Sequence, residues 1–197
     1  MITVTVIPRP TISPARVEVI WEPAAQNLYC RIEYPTRDRT DQESTALRDM
    51  LDAQWPEPQP RRMIVAGQLS MVLDDEERLS NFDILANPTK GVLHPIATAA
   101  NFVEPCVQTS FDDQGDARCP PLEEELYDAE HGIFCLSWGS AHRWLSIAPN
   151  LALGLASDGS LMKIQLTDFW ISAPKPQAEN AWKRLTRRLR LSGAGSC

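Results

Sequence analysis

Residues 65–73 read Val-Ala-Gly-Gln-Leu-Ser-Met-Val-Leu, and residues 147–155 read Ile-Ala-Pro-Asn-Leu-Ala-Leu-Gly-Leu. Each stretch alternates apolar with small or polar residues, reaches a short turn and resumes as a second apolar stretch, which is the pattern of a β-hairpin. At an offset of 82 residues, the identical pairs are Ala66/Ala148, Leu69/Leu151, Leu73/Leu155 and Leu79/Leu161. The sequence therefore predicts two copies of one hairpin, with Leu69, Leu73, Leu151 and Leu155 facing the core.

A second hairpin precedes each copy. Residues 126–135 align with residues 21–30 at an offset of 105, which matches Ala129 with Ala24 and Cys135 with Cys30. Two matching hairpins in the same order indicate a duplication. We expect each copy to be a four-stranded antiparallel unit, and the two units to form one sheet, a sandwich or a barrel.

Two segments have helical spacing. Thr40 and Glu43 form a capping box, and the apolar residues that follow predict a helix at about 41–54. Trp182, Leu185 and Leu189 predict a second helix at about 178–191. The expected fold class is therefore α+β and β-rich. We divide the chain into a first β-repeat with an inserted helix (1–88), a connecting loop region (89–121), a second β-repeat (122–176) and a basic C-terminal helix and tail (177–197).

Charge is divided unevenly along the chain. The net charge is −7. The basic residues of the tail outnumber its single acidic residue, Glu179, and give residues 177–197 a charge of +4, which leaves −11 on residues 1–176. These basic residues are Lys183, Arg184, Arg187, Arg188 and Arg190. An acidic body argues against binding of duplex DNA. The basic helix could contact a membrane or RNA, but we favour docking on the acidic body.

Two short acidic segments are expected as exposed turns. They supply the predicted partner-binding residues, which are Asp74, Asp75, Glu76, Glu77, Asp112, Asp113 and Asp116. Neighbouring carboxylates repel one another and stay hydrated. A surface of this kind fits a basic protein partner, because complementary charge accelerates association.

Composition predicts a soluble cytoplasmic protein. No apolar run approaches the roughly 20 residues that span a bilayer, and residues 1–7 alternate as a strand rather than as a signal peptide. The five cysteines contain no C-x-x-C pair, so we expect thiols rather than disulfides.

The metal and catalytic motifs in the sequence are incomplete. His94, Cys106, Cys119 and His131 lack the close ligand pairs of zinc sites. The Asp112–Asp116 segment lacks the closing glutamate of a calcium loop. Ser140 and His142 lack the glycines of a nucleophile elbow. We predict no metal, no cofactor and no catalytic residue, and we lean against an enzyme.

Two parts of the chain resemble a family of short uncharacterised bacterial β-domains. Residues 126–135 carry Leu-Tyr-Asp-Ala-Glu followed by Ile-Phe-Cys, and residues 155–166 carry an Asp-Gly turn and a closing strand. The family pattern is Tyr-Asp, a short turn, Leu-Tyr-Ile and then an Asp-Gly turn. The first half departs from it, since Glu22-Pro23 replaces Tyr-Asp and Glu77 replaces the turn glycine. The resemblance implies a β-fold, and some such domains look like partners of small toxin-like proteins.

The sequence therefore favours a non-enzymatic cytoplasmic protein-binding module of the immunity or antitoxin type, which offers an acidic surface to a basic partner. One alternative is an enzyme or small-ligand-binding protein with a pocket between the two repeats that uses His94, His131 or His142. Another is a subunit of a larger bacterial or phage assembly. A homo-oligomer is compatible with each of these.

Overall fold

The computed structural model describes residues 3–35, 62–96 and 101–171. In copy one the strands are β1 (Thr5–Pro10), β2 (Arg16–Glu22), β3 (Asn27–Glu33), β4 (Met63–Ala66), β5 (Leu69–Leu73) and β6 (Leu79–Leu85), followed by β7 (Thr89–Lys90). The later strands are β8 (Val103–Gln108), β9 (Asp116–Arg118), β10 (Glu124–Asp128), β11 (Ile133–Ser137), β12 (Arg143–Ala148), β13 (Leu151–Leu155) and β14 (Leu161–Leu166).

The α+β expectation is wrong for this part of the chain, which is all-β. Its strands form a first sheet in the order β2-β3-β6-β5-β4-β9, a second sheet in the order β12-β13-β14-β11-β10-β7, and a central ribbon of β1 and β8. The helices expected at about 41–54 and 178–191 lie outside the described residues, and these residues include no helix that could cross a membrane. Hairpins with short turns account for most of the strand pairs. Alternation buries one face of β3 and β5, whereas β11 and β13 are buried along their whole length.

The two sheets share the order of five strands, and their sixth strands, β9 and β7, lie at opposite ends. If β2 to β6 are matched with β10 to β14, both sheets follow one path, five antiparallel strands long rather than four. Cross-strand pairs agree at an offset of 82: Leu69 pairs with Ile84, and Leu151 with Leu166. Even the β-bulge recurs, at Leu73 in copy one and at Leu155 in copy two. The division at residues 88, 121 and 176 stays a prediction.

The offset predicted for the earlier hairpin is wrong by one residue. Leu28 pairs with Ile84 and Phe134 with Leu166, so Leu28 corresponds to Phe134 at an offset of 106. A slip of one residue exchanges the two faces of a strand. Cys30 accordingly belongs to the shared core, whereas Cys135 is buried outside that cluster.

The copies exchange segments at their edges. Residues 89–121, expected to be a connecting loop region, contain β7, which runs parallel to β10, and β9, which runs parallel to β4. They also contain β8, which pairs with β1 so that Val6 lies opposite Val107. A parallel pair requires a crossover connection rather than a tight turn. The two copies are therefore interlocked through the ribbon and the sheet edges.

One hydrophobic core serves both sheets. A single cluster of buried side chains includes inward residues of β3 to β6 and of β11 to β14. The predicted core positions Leu69, Leu73, Leu151 and Leu155 are confirmed, because all four are buried. Phe169 packs between the two copies, since its ring makes edge contacts with the rings of Trp21 in copy one and Phe134 in copy two. The ring centroids are 6.3 Å and 5.6 Å apart.

Candidate functional site

The first acidic turn joins β5 to β6, and one of its carboxylates holds the turn together. Asp74 Oδ1 accepts hydrogen bonds from the backbone N–H groups of Glu76 and Arg78, each at 2.9 Å. Arg78 Nε donates to Asp74 Oδ2 at 2.8 Å. Asp74 and Glu77 are half-buried, whereas Asp75 and Glu76 are exposed. The turn is therefore less solvated than its sequence predicts.

Arg78 leads from this turn into a compact ionic cluster. Its Nη1 lies 3.6 Å from the carboxylate of Glu104, which is only 1% exposed. The guanidinium lies over the Tyr34 ring, 4.6 Å from its centroid, and the Tyr34 hydroxyl donates to the Leu79 carbonyl at 2.7 Å. Burial raises the pKa of the Tyr34 phenol, which keeps the hydroxyl a donor. A buried carboxylate needs such a partner, because an unpaired one would be costly.

The second acidic turn has the same geometry. Asp112 Oδ1 accepts from the backbone N–H groups of Gln114 and Asp116 at 2.9 Å. The structure brings the two turns to one end of the first sheet, and Arg62 lies between them. Arg62 makes an ion pair with Glu77 and places its guanidinium 5.5 Å from the centroid of the Phe111 ring.

These contacts divide the predicted partner-binding residues into two groups. Asp74, Glu76, Glu77 and Asp112 are engaged by backbone N–H groups of the turns or by arginines, and Asp116 is half-buried at the start of β9. Asp75 and Asp113 are exposed. Both carboxylates lie at this end of the first sheet. The basic residues Lys183, Arg184, Arg187, Arg188 and Arg190 lie outside the described residues.

The histidines and cysteines that could act as metal ligands are dispersed. His131 lies in the β10–β11 turn, where its Nδ1 is 3.0 Å from Asp128 Oδ2. Cys106 is buried on β8, and Cys119 follows β9. No group of three or more potential metal-ligating side chains forms among the described residues.

The Asp128–His131 pair is electrostatically coupled. Asp128 is buried and accepts from the backbone N–H groups of Leu93, His131 and Glu130. These bonds, led by the one from Leu93, lower the pKa of Asp128. The hydrogen bond that the His131 ring donates to Asp128 in turn raises the pKa of His131. Because Asp128 anchors the segment after β7, we interpret the pair as structural.

A cavity lies between the two copies, and sequence reasoning predicted it only as an alternative. Its volume is about 260 Å³. The first sheet contributes Met71, the second contributes Leu161 and Met162, and the segment between β9 and β10 contributes the rest of one wall. Among the described residues, the lining is Thr3, Val4, Met71, Cys119, Pro120, Pro121, Glu123, Trp138, Ser160, Leu161 and Met162. The histidines suggested for such a pocket, His94, His131 and His142, do not line it.

The cavity wall is mainly apolar and is internally fixed. The Trp138 Nε1–H group donates to the Pro120 carbonyl at 3.0 Å, which joins the loop after β11 to the segment before β10. Gly139 adopts a φ of +143°, and a Cβ there would lie 2.8 Å from Met162 Cε. Burial raises the pKa of the Cys119 thiol, which lowers its reactivity near neutral pH. The site is suited to binding an apolar group.

The corresponding place in copy one is occupied by side chains. Thr5 of β1 forms an isolated antiparallel β-bridge with Ser160, and Cys106 of β8 forms one with Arg78. Ser160 therefore corresponds to Arg78. Thr5 is then the equivalent of Cys106, and two residues earlier Thr3 is the equivalent of Glu104. The Arg78–Glu104 pair under Tyr34 therefore stands where copy two has its cavity. Sequence alignment at the offset of 82 pairs Arg78 with Ser160. The replacement of a long side chain by a short one is the sequence feature that could have indicated the cavity.

The sequence was compared with protein-family models and with curated proteins, and no match was found. The resemblance to short bacterial β-domains therefore stays a prediction.

Proposed function

We propose that the protein binds a small apolar molecule in the cavity between its two copies. The observation that carries this proposal is the difference between the copies: the same framework holds an ionic cluster in copy one and an apolar cavity in copy two. Binding sites are typically concave and apolar with few polar groups. A volume of about 260 Å³ suits a ligand the size of an aromatic fragment.

Protection of Cys119 from alkylation tests the proposal. Indole serves as a neutral probe, iodoacetamide as the reagent, and peptide mass spectrometry separates Cys119 from the other thiols. Alkaline pH is used because the pKa of Cys119 is raised. We expect indole to slow alkylation of Cys119 in a saturable manner. Undiminished alkylation at saturating indole would contradict the proposal.

Variants locate the binding. Thr3→Trp adds an indole ring at an exposed residue of the cavity rim and should abolish the protection. Thr11→Trp adds the same ring outside the cavity lining and should leave it intact. If indole protects Cys119 equally in the two variants, indole binds outside this cavity.

A second candidate is the protein-binding module of the immunity or antitoxin type. The observation that favours it is the meeting of both acidic turns around Arg62 at one end of the first sheet. The charge reversals Asp75→Lys and Asp113→Lys avoid the carboxylates that hold the turns. They should slow association with a basic partner, and added salt should slow it too. Glu18→Lys, exposed on β2, is the control. If the association rate of a basic partner is the same for both charge-reversed variants as for the native protein, this candidate function is excluded.

The thiols bear on location. The described cysteines Cys30, Cys106, Cys119 and Cys135 are all unpaired, and Cys119 alone among them is not fully buried. Unpaired thiols favour a reducing compartment. We propose the cytoplasm for this reason, and mass measurement of thiols alkylated in intact cells tests it.

A further inference from the structure

The charge of the cavity wall selects the class of ligand. Among the described residues that line the cavity, Glu123 is the charged one, and the remaining side chains are apolar or neutral. Glu123 is exposed, so its carboxylate is at the mouth rather than in the core. An anion entering this cavity would approach a like charge, whereas a cation would gain an opposite one.

Two cavity side chains lie beside Gly139. A Cβ built on Gly139 would lie 2.8 Å from Met162 Cε and 4.0 Å from Glu123 Oε2, so the thioether end and the carboxylate both approach this glycine. Trp138 precedes Gly139, and its indole N–H group is held by Pro120. The cavity lining therefore includes a carboxylate, a soft thioether and an aromatic ring, on Glu123, Met162 and Trp138.

On these grounds we infer that the cavity takes a small organic cation, an amine or quaternary ammonium group on an apolar body. This inference rests on the proposed function. The apolar body lies among Val4, Met71 and Leu161, and the cationic head lies near Glu123 and Trp138. Aromatic rings attract cations placed over their faces, and the attraction grows where water is excluded. The carboxylate adds to it without burying a full charge.

Three probes of similar shape separate charge from hydrophobicity. Benzyltrimethylammonium is the cation, neopentylbenzene is its neutral isostere, and 3-phenylpropanoate is the anion. Binding is followed by the ¹H–¹⁵N signal of the Trp138 indole, assigned with Trp138→Phe, and by Cys119 alkylation. We expect the cation to bind about tenfold more tightly than the neutral isostere, and the anion to bind most weakly.

Glu123→Gln keeps the size and hydrogen-bonding capacity of the side chain and removes its charge. It should weaken cation binding about five- to tenfold and leave neopentylbenzene unchanged. Glu124→Gln is the matched control, because Glu124 is the exposed neighbour and does not line the cavity. It should change neither affinity. Thermal unfolding of each variant confirms that the fold is retained.

The outcomes separate the two proposals. If the neutral probe or the anion binds as tightly as the cation, or if Glu123→Gln preserves the preference, the cation inference is overturned and the apolar binding function stands. If indole neither perturbs Trp138 nor protects Cys119, the binding function itself is overturned.

Discussion

Glu77 and Gly159 occupy equivalent positions in the two copies of the chain. Both have left-handed backbone, with φ of 62° and 89°. Each carbonyl also accepts a hydrogen bond from a valine of the central ribbon, Val107 at 2.7 Å and Val6 at 3.0 Å. These two valines face each other across β1 and β8. The duplication therefore extends from strand order to single turn residues, and the ribbon lies on its pseudo-twofold axis.

The same equivalence predicts a stabilising substitution. Gln26 has a φ of 52°, and its counterpart at an offset of 106 is Gly132, with a φ of 64°. Left-handed backbone is strained for residues with a Cβ. Gln26→Gly should raise the free energy of unfolding by about 0.5–1 kcal/mol. Ala25→Gly, in the same turn without a positive φ, should lower it by about 0.5–1 kcal/mol. Urea denaturation measures both, and equal losses would contradict the assigned equivalence.

Asp74 and Asp75 are adjacent carboxylates with different functions. Asp74 accepts two backbone N–H groups and the Arg78 side chain, whereas Asp75 is exposed. Asp74→Ala should lower the free energy of unfolding by about 2–3 kcal/mol, because hydrogen bonds to a charged acceptor are lost. Asp75→Ala should change it by no more than about 0.5 kcal/mol. Denaturation midpoints provide the comparison, and a tolerated Asp74→Ala would show that the turn does not depend on its carboxylate.

The free energy of unfolding should fall as pH rises through the raised pKa of His131. Its hydrogen bond to Asp128 raises the pKa of His131 in the folded state above its unfolded value. The folded protein thus holds the proton more tightly, so this stabilisation is complete below the ordinary histidine pKa of about 6.5 and is lost as pH rises through the higher folded value. His131→Asn should remove this slope of unfolding free energy with pH. NMR titration of the His131 ring gives the folded pKa directly, and a value at or below about 6.5 would refute the coupling.

Sequence reasoning reached the hairpins because alternation records which face of a strand is buried. Leu69 and Leu151 could be placed in the core on that basis alone. The exchanged strands were out of reach, since β7 and β9 are two and three residues long and their parallel partners are distant in the chain. The role of Asp74 could have been anticipated, because aspartate at the start of a turn often accepts backbone N–H groups. The cavity depends on how both copies meet, which no local pattern contains.

Transfer of the ionic pair from copy one to copy two should close the cavity. Thr3→Glu with Ser160→Arg reproduces the Glu104–Arg78 pair at the equivalent positions. The arginine side chain would extend along the wall that Leu161 and Met162 now line, so indole should no longer protect Cys119. Ser160→Arg alone leaves a new cation without its partner at a position only 8% exposed, and should be the less stable variant. The coupling between the two substitutions should therefore be favourable, about 0.5–1 kcal/mol in a double-mutant cycle of unfolding free energies. If indole still protects Cys119 in the double variant, the cavity is not the counterpart of the Arg78 cluster. The contrast between the copies then no longer supports a binding function.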